Sequence, residues 1–173
     1  MGTPQPPVLG FAARSGTGKT TLLTKLIPLL RTRGLEVGVI KHAHHQFDID
    51  QPGKDSYRLR QAGARQTLIA SDTRRVLITE AAVPADPSLA GLVAALDPGL
   101  LDLVLVEGFR HEPYPKIELH RPALGKPLLS RSDPTIVAVA SDTAVVTELP
   151  LLDLNQPRQI ADFVLAFIQG HPR

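Results

Sequence analysis

The chain has 173 residues, a formal net charge of +2, 21% charged residues and no cysteine. That length suits one globular unit that removes roughly 70% of its unfolded surface from water on folding. The absent cysteines exclude disulfides and cysteine-held zinc or iron–sulfur centres, and the near balance of charge makes no demand for nucleic acid as a partner.

Met1 to Pro7 has neither the basic nor the apolar part of a signal peptide, and no apolar run approaches the ~20 residues of a membrane span. A soluble, cytoplasmic protein is expected. Val8 to Ala12 then reads as a strand, followed by Ala13-Arg14-Ser15-Gly16-Thr17-Gly18-Lys19-Thr20-Thr21 and the leucine-rich Leu22 to Leu30. A strand, a glycine-containing turn and a helix opening on Lys-Thr make a phosphate-binding loop. Its backbone N–H groups point inward beside the positive end of the helix dipole, where a polyphosphate satisfies them. Gly16 and Gly18 permit close backbone approach, Lys19 reaches the β and γ phosphates, and the Thr20 hydroxyl can ligate Mg²⁺. Ala13 stands where the GxxxxGK[S/T] pattern has glycine, so only the second half of the pattern is complete.

The helix buries a broad stripe with Leu22, Leu26 and Leu29, and Gly34 can stop it. An interior proline costs about 3 kcal/mol, so a kink is expected at Pro28. Leu35 to Ile40 reads as a second, parallel strand, reached by a right-handed crossover. Ligands collect beyond the carboxyl ends of such strands, which places Lys41, His42, His44, His45, Asp48 and Asp50 on the phosphate edge. Gln51-Pro52-Gly53 is a turn, and a short helix follows with Asp55 or Ser56 as cap and Gly63 as stop. Gln66 to Ala70 and Arg75 to Thr79 form a hairpin, an antiparallel addition whose edge can pair with a second copy. The basic residues from Lys54 to Arg75, among them Arg58, Arg60, Arg65 and Arg74, read as a solvated helix face or an anion-binding surface.

A second amphipathic helix runs through Leu89, Leu92, Val93 and Leu96 and ends at Asp97-Pro98-Gly99. Leu101 to Gly108 is an uninterrupted apolar strand, as the middle of a parallel sheet requires, and it delivers Glu107 to the ligand edge. In phosphate-loop proteins an acid there holds the Mg²⁺ shell or orients the attacking water; the alternative is an ordinary strand-end carboxylate. Lys116 to His120 and Thr135 to Ala140 are further strands, with His111 and His120 as ordinary surface or strand residues. Asp142, in the next loop, either accepts the N1–H and exocyclic amine of guanine or caps its own loop. Gln159 to Gln169 supplies the closing helix. The expected fold is α/β, a mostly parallel sheet with helices on both faces and an added antiparallel hairpin.

Four motifs in order carry a resemblance over essentially the full length: Ala13 to Thr21, Ile40-Lys41-His42-Ala43-His44-His45, Pro52-Gly53-Lys54-Asp55-Ser56-Tyr57 and Leu103 to Phe109. The chain resembles the MobB family, the molybdopterin-guanine dinucleotide biosynthesis adapter proteins. That resemblance implies a P-loop NTPase fold, GTP and Mg²⁺ binding with slow hydrolysis at most, and a homodimer. It also implies partnership with the MobA-like guanylyltransferase that attaches GMP to molybdopterin, and contact with molybdopterin or its guanine dinucleotide. Carried across, Ser15 to Thr21 match the nucleotide loop, with Lys19 catalytic as well as binding, and Glu107 matches the metal-side acid. Lys41, His42, Asp50, Lys54 and Asp55 match family positions near the phosphates.

Two other readings compete. A small-molecule kinase would use Asp48 or Asp50 to activate a hydroxyl and Arg14 or Arg110 to stabilise the transferred phosphoryl group. A metal-handling GTPase would gather His42, His44 and His45 in one loop, although adjacent His44 and His45 do not suit the i, i+4 helix clamp.

Overall fold

The computed structural model describes residues 4–43, 47–83 and 86–170. In chain order its main elements are β1 (Val8–Ala13), α1 (Lys19–Arg31), β2 (Val37–Lys41), α2 (Asp55–Gln61), β3 (Gln66–Ala70) and β4 (Arg75–Thr79). Then follow α3 (Leu89–Ala94), β5 (Leu103–Glu107), β6 (Lys116–His120), β7 (Ile136–Ser141), β8 (Leu151–Asp153) and α4 (Pro157–Gly170). The sequence contains no evident linker, yet the chain divides into two compact units. Met1–His42 and Ser88–Arg173 form one, and Ala43–Pro87, between them in sequence, forms the other.

The first unit is a six-stranded sheet in the order β2-β5-β1-β6-β7-β8, parallel throughout. Leu9 and Phe11 of β1, Leu103 and Leu105 of β5 and Ile117 and Leu119 of β6 face one way, into a core with Leu22, Leu26 and Leu30 of α1 and Ile160 and Val164 of α4. α1 continues through Pro28 to Arg31. Pro28 is exposed, so its ring meets solvent, and the missing N–H leaves one carbonyl of the helix without its usual donor. Gly34, with φ +83°, then ends the helix by donating to the Arg31 carbonyl at 3.0 Å.

On the opposite face Val104, Val106 and Ile40 pack with Leu89 of α3. That helix is shorter than its hydrophobic spacing predicts, and a 3-10 turn at Pro98–Leu100 follows it, capped by Asp97. The β6–β7 crossover contains no α-helix, only 3-10 turns at Pro122–Leu124 and Leu129–Arg131. Polar side chains of β6 fasten it. Glu118, 1% exposed, accepts the amides of Leu129 at 2.7 Å and Ser130 at 2.9 Å. Lys116, also 1% exposed, donates to the Glu112 carbonyl at 2.7 Å and Thr135 Oγ1 at 2.6 Å, and pairs with Asp133. Burial acts to raise the Asp133 carboxyl, but bonds from Thr135 and Lys116 outweigh it and hold the group below the usual carboxylate range. His120 completes this row as a buried residue, so its strand reading stands and its surface reading does not.

The second unit holds α2 and the two-stranded antiparallel sheet β3-β4, which is separate from the six-stranded one. Lys54, not Asp55 or Ser56, is the N-cap of α2; the Ser56 hydroxyl instead donates to Asp50 at 2.9 Å. α2 buries none of its residues, so apolar packing contributes little. Arg60 supplies the tie. Its guanidinium donates to both oxygens of Asp48 at 2.9 and 2.8 Å and to Glu80 at 2.9 Å, joining loop, helix and the residue after β4. Within the basic cluster, then, Arg60 is an internal ion-pair centre and Arg58 pairs with Asp55 at 3.9 Å. The bonds to Glu80 and Asp48 hold the guanidinium well above its usual range, and the Arg60 bond holds the Asp48 carboxyl below its usual 3.8. For a carboxylate depressed on folding, the stabilisation is complete above the unfolded value and is lost as pH falls through the folded one. Hydrogen exchange of β3 and β4, expressed as protection relative to the intrinsic amide rate at each pH, should therefore keep constant protection from neutral pH to about 5 and lose it below 3.8. Arg60→Gln should accelerate exchange at neutral pH. Unchanged exchange in that variant would remove Arg60 as the tie.

Candidate functional site

The turn between β1 and α1 is built from two left-handed glycines, Gly16 at φ +80° and Gly18 at φ +98°. Gly18 is the N-cap of α1, and no side chain caps the first-turn amides. Those amides need an acceptor from elsewhere, such as water or an anion. Thr17, 2% exposed, folds the turn back: its hydroxyl donates to the Arg14 carbonyl at 2.7 Å and its amide to the same oxygen at 3.3 Å. Lys19 opens the helix, half-buried, and Thr20 follows it on the exposed side. Ala13 is the last residue of β1 and is not among the positive-φ residues. The corner where the pattern has glycine therefore does not require one here, and the methyl packs against the core.

Glu107, the last residue of β5, meets this helix end. Its Oε1 accepts the Thr20 hydroxyl at 3.4 Å, and its Oε2 lies 4.0 Å from Lys41 Nζ at the end of β2. The backbone after Glu107 is held tightly. Gly108 has φ +112°, and an added Cβ there would stand 2.5 Å from His42 Cβ. Phe109, at φ +50°, is the one described non-glycine residue with positive φ. Its ring stacks on His42 with centroids 4.7 Å apart, and the His42 amide donates to the Glu107 carbonyl at 2.9 Å. From below, Tyr114 donates its hydroxyl to the Gly108 carbonyl at 2.8 Å while its ring lies where a Cβ on Gly10 would be. Burial, reinforced by the charges of Glu112 and Asp133, pushes that phenol well above its usual range. Gly108→Ala should combine the contact with His42 and ~1–2 kcal/mol of left-handed backbone strain, lowering the melting temperature by several degrees. A calorimetric scan matching wild type would contradict this.

On the other side of the loop stands Arg121, the first residue after β6. Its Nε donates to the Thr17 carbonyl at 3.0 Å and its Nη1 to Asp142 Oδ2 at 2.6 Å. Asp142 Oδ1 is buried with no hydrogen-bond partner. A cleft of about 210 Å³ opens here, lined by Gly16, Gly18, Lys25, Arg121 and Asn155 among others. Sequence reasoning missed Arg121. The usable signal was its position one residue beyond a parallel strand, on the edge where ligands collect.

Residues 8–142 match the family model described as molybdopterin guanine dinucleotide synthesis protein B. The chain is 50% identical over 164 residues to the molybdopterin-guanine dinucleotide biosynthesis adapter protein of Escherichia coli K12, covering 94% of each. The chain belongs to the MobB family. The Haemophilus influenzae protein of the same description is 48% identical over 160 residues, covering 92% of this chain and 88% of that one. A crystal structure of molybdopterin-guanine biosynthesis protein B superposes with a TM-score of 0.72 at 27% identity, covering 94% of this chain and 99% of that one. The P-loop NTPase fold of MobB proteins is thus the fold of this chain.

Of the remaining sequence candidates in this MobB-family chain, Asp50, Lys54 and Asp55 all belong to the second unit. There Asp50 Oδ1 accepts Ser56 and the Gln51 amide, and Lys54 is exposed. His44 and His45 lie outside the described residues. Among the described residues no three His, Cys, Asp or Glu side chains gather as a metal cage, and no helix is long and apolar enough to cross a membrane.

Proposed function

We propose that this chain binds GTP and Mg²⁺ as the adapter that assists guanylylation of molybdopterin, acting in the cytoplasm as a homodimer beside a MobA-like guanylyltransferase. One observation carries the nucleotide reading: the Thr20 hydroxyl and the Glu107 carboxylate meet at 3.4 Å beside an uncapped helix end. Family membership supports the pathway and the partner.

The oxygens present suit Mg²⁺, which takes one or two protein ligands and keeps waters and substrate phosphates for the rest. Thr20 and Glu107 would hold it, and the ion would neutralise charge on the transferring phosphate. Ser15 to Thr21 supply the amide cradle and the Lys19 ammonium balances the β and γ phosphates. Lys41, poised against Glu107, adds a second cation at the same edge. His42 is stacked on Phe109, which suits it to positioning the segment after Glu107.

Reconstitution decides the adapter role. Purified guanylyltransferase should form molybdopterin guanine dinucleotide faster with this chain and Mg-GTP than without it, and an unchanged rate would refute the reading. Glu107→Gln should retain GTP affinity within a few fold while GTP turnover falls at least tenfold, because the carboxylate acts on metal and water more than on ground-state binding. Isothermal titration with single-turnover kinetics checks the split; a larger loss of affinity than of turnover contradicts it.

A further inference from the structure

We propose that Arg121 sets the base preference of the nucleotide site, an inference that rests on the nucleotide reading above. Arg121 is one side chain bonded to both ends of the site: Nε to the Thr17 carbonyl inside the phosphate loop at 3.0 Å, Nη1 to Asp142 at 2.6 Å. The guanidinium is 35% exposed and lines the cleft that runs from Gly16 and Gly18 to Asn155 and Pro157 at the start of α4. Its Nη2 lies 4.0 Å from where a Cβ on Gly18 would stand, so a donor remains on the loop side.

Asp142 Oδ2 and Arg121 Nη1 bind each other, which leaves one carboxylate oxygen, Oδ1, as an acceptor without a donor and Nη2 as a donor beside it. Guanine presents the complement along one edge, the N2 and N1 hydrogens and then O6. Adenine presents no donor at C2, an acceptor at N1 and a donor at N6, so two of the three positions oppose like with like. Asp142 Oδ1, buried and without a partner, is an acceptor that still lacks its donor. Leaving such a group unmatched is what makes polar sites reject a wrong base more strongly than apolar ones. The Thr17 bond matters equally, because it fixes the guanidinium to the same turn that holds the phosphates. The base edge and the polyphosphate are thereby measured from one side chain.

Fluorescence titration with mant-GDP, mant-IDP and mant-ADP in Mg²⁺ tests this by affinity ratio. Wild type should prefer mant-GDP over mant-ADP by about tenfold or more, with mant-IDP weaker than mant-GDP because it lacks the N2 amine. Arg121→Gln should lose most of that preference, weakening mant-GDP at least about fivefold more than mant-ADP, and Arg121→Lys should restore part of it. Equal weakening of mant-GDP and mant-ADP in Arg121→Gln would overturn the inference, leaving Arg121 as a support of the loop alone. Equal affinity of wild type for mant-GDP and mant-ADP would overturn it without touching the nucleotide reading. Wild type that binds none of the three would end both.

Discussion

Lys19→Ala should lose GTP affinity by at least ~100-fold while the melting transition stays within a degree or two of wild type, as the proposed charge-assisted bonds to phosphate and an ammonium without an ion pair among the described residues together require. The two halves of that expectation have separate causes. Lys19 makes no ion pair among the described residues, so its removal strands no protein carboxylate. α1 starts at Lys19 because Gly18 turns the chain, and alanine is at least as good a helix former. Lys19 is instead half-buried at the uncapped start of α1, where its charge would act on a phosphate with less solvent screening than at an open surface. Calorimetric titration with Mg-GTP and a thermal scan on the same sample measure both. Undiminished affinity would remove Lys19 from the site.

Glu118→Ala should cost about 3–5 kcal/mol of unfolding free energy. The carboxylate is 1% exposed and each oxygen accepts one backbone amide, Leu129 and Ser130. Truncation orphans both amides, at ~1–3 kcal/mol each, and leaves a void under the crossover. Glu118→Gln keeps one acceptor of nearly the same shape and should lose about half as much. Urea titrations of the two variants separate these values. Equal and small losses, below ~1 kcal/mol, would show the 3-10 turn at Leu129–Arg131 holding without Glu118.

The same strand explains where sequence reading succeeds and fails. Gln66–Ala70 and Arg75–Thr79 fall where turn chemistry and β-branched runs put them, and the apolar β5 lies inside the sheet, paired on both sides by β2 and β1, as its composition requires. Lys116-Ile117-Glu118-Leu119-His120, by contrast, alternates as a strand with one wet face does, yet all five residues are buried. The polar face binds the backbone of a helix-free crossover, and no local period announces that. β8, three residues long, is too short to carry a pattern. Asp142 had two sequence readings; the bond to Arg121 depends on a residue 21 positions away, which spacing cannot reveal. The turn between β1 and α1 was legible because two glycines and a helix start, not distant side chains, shape it.

The chain has no tryptophan and two tyrosines, Tyr57 in the inserted unit and Tyr114 in the sheet unit. Tyr114 touches Gly10 with its ring and Gly108 with its hydroxyl, one residue past Glu107. Its emission is therefore a label-free optical gauge of the backbone beside Glu107. In Tyr57→Phe it becomes the sole tyrosine, so with excitation beyond the phenylalanine band lifetime changes on adding nucleotide can be read without attaching a dye.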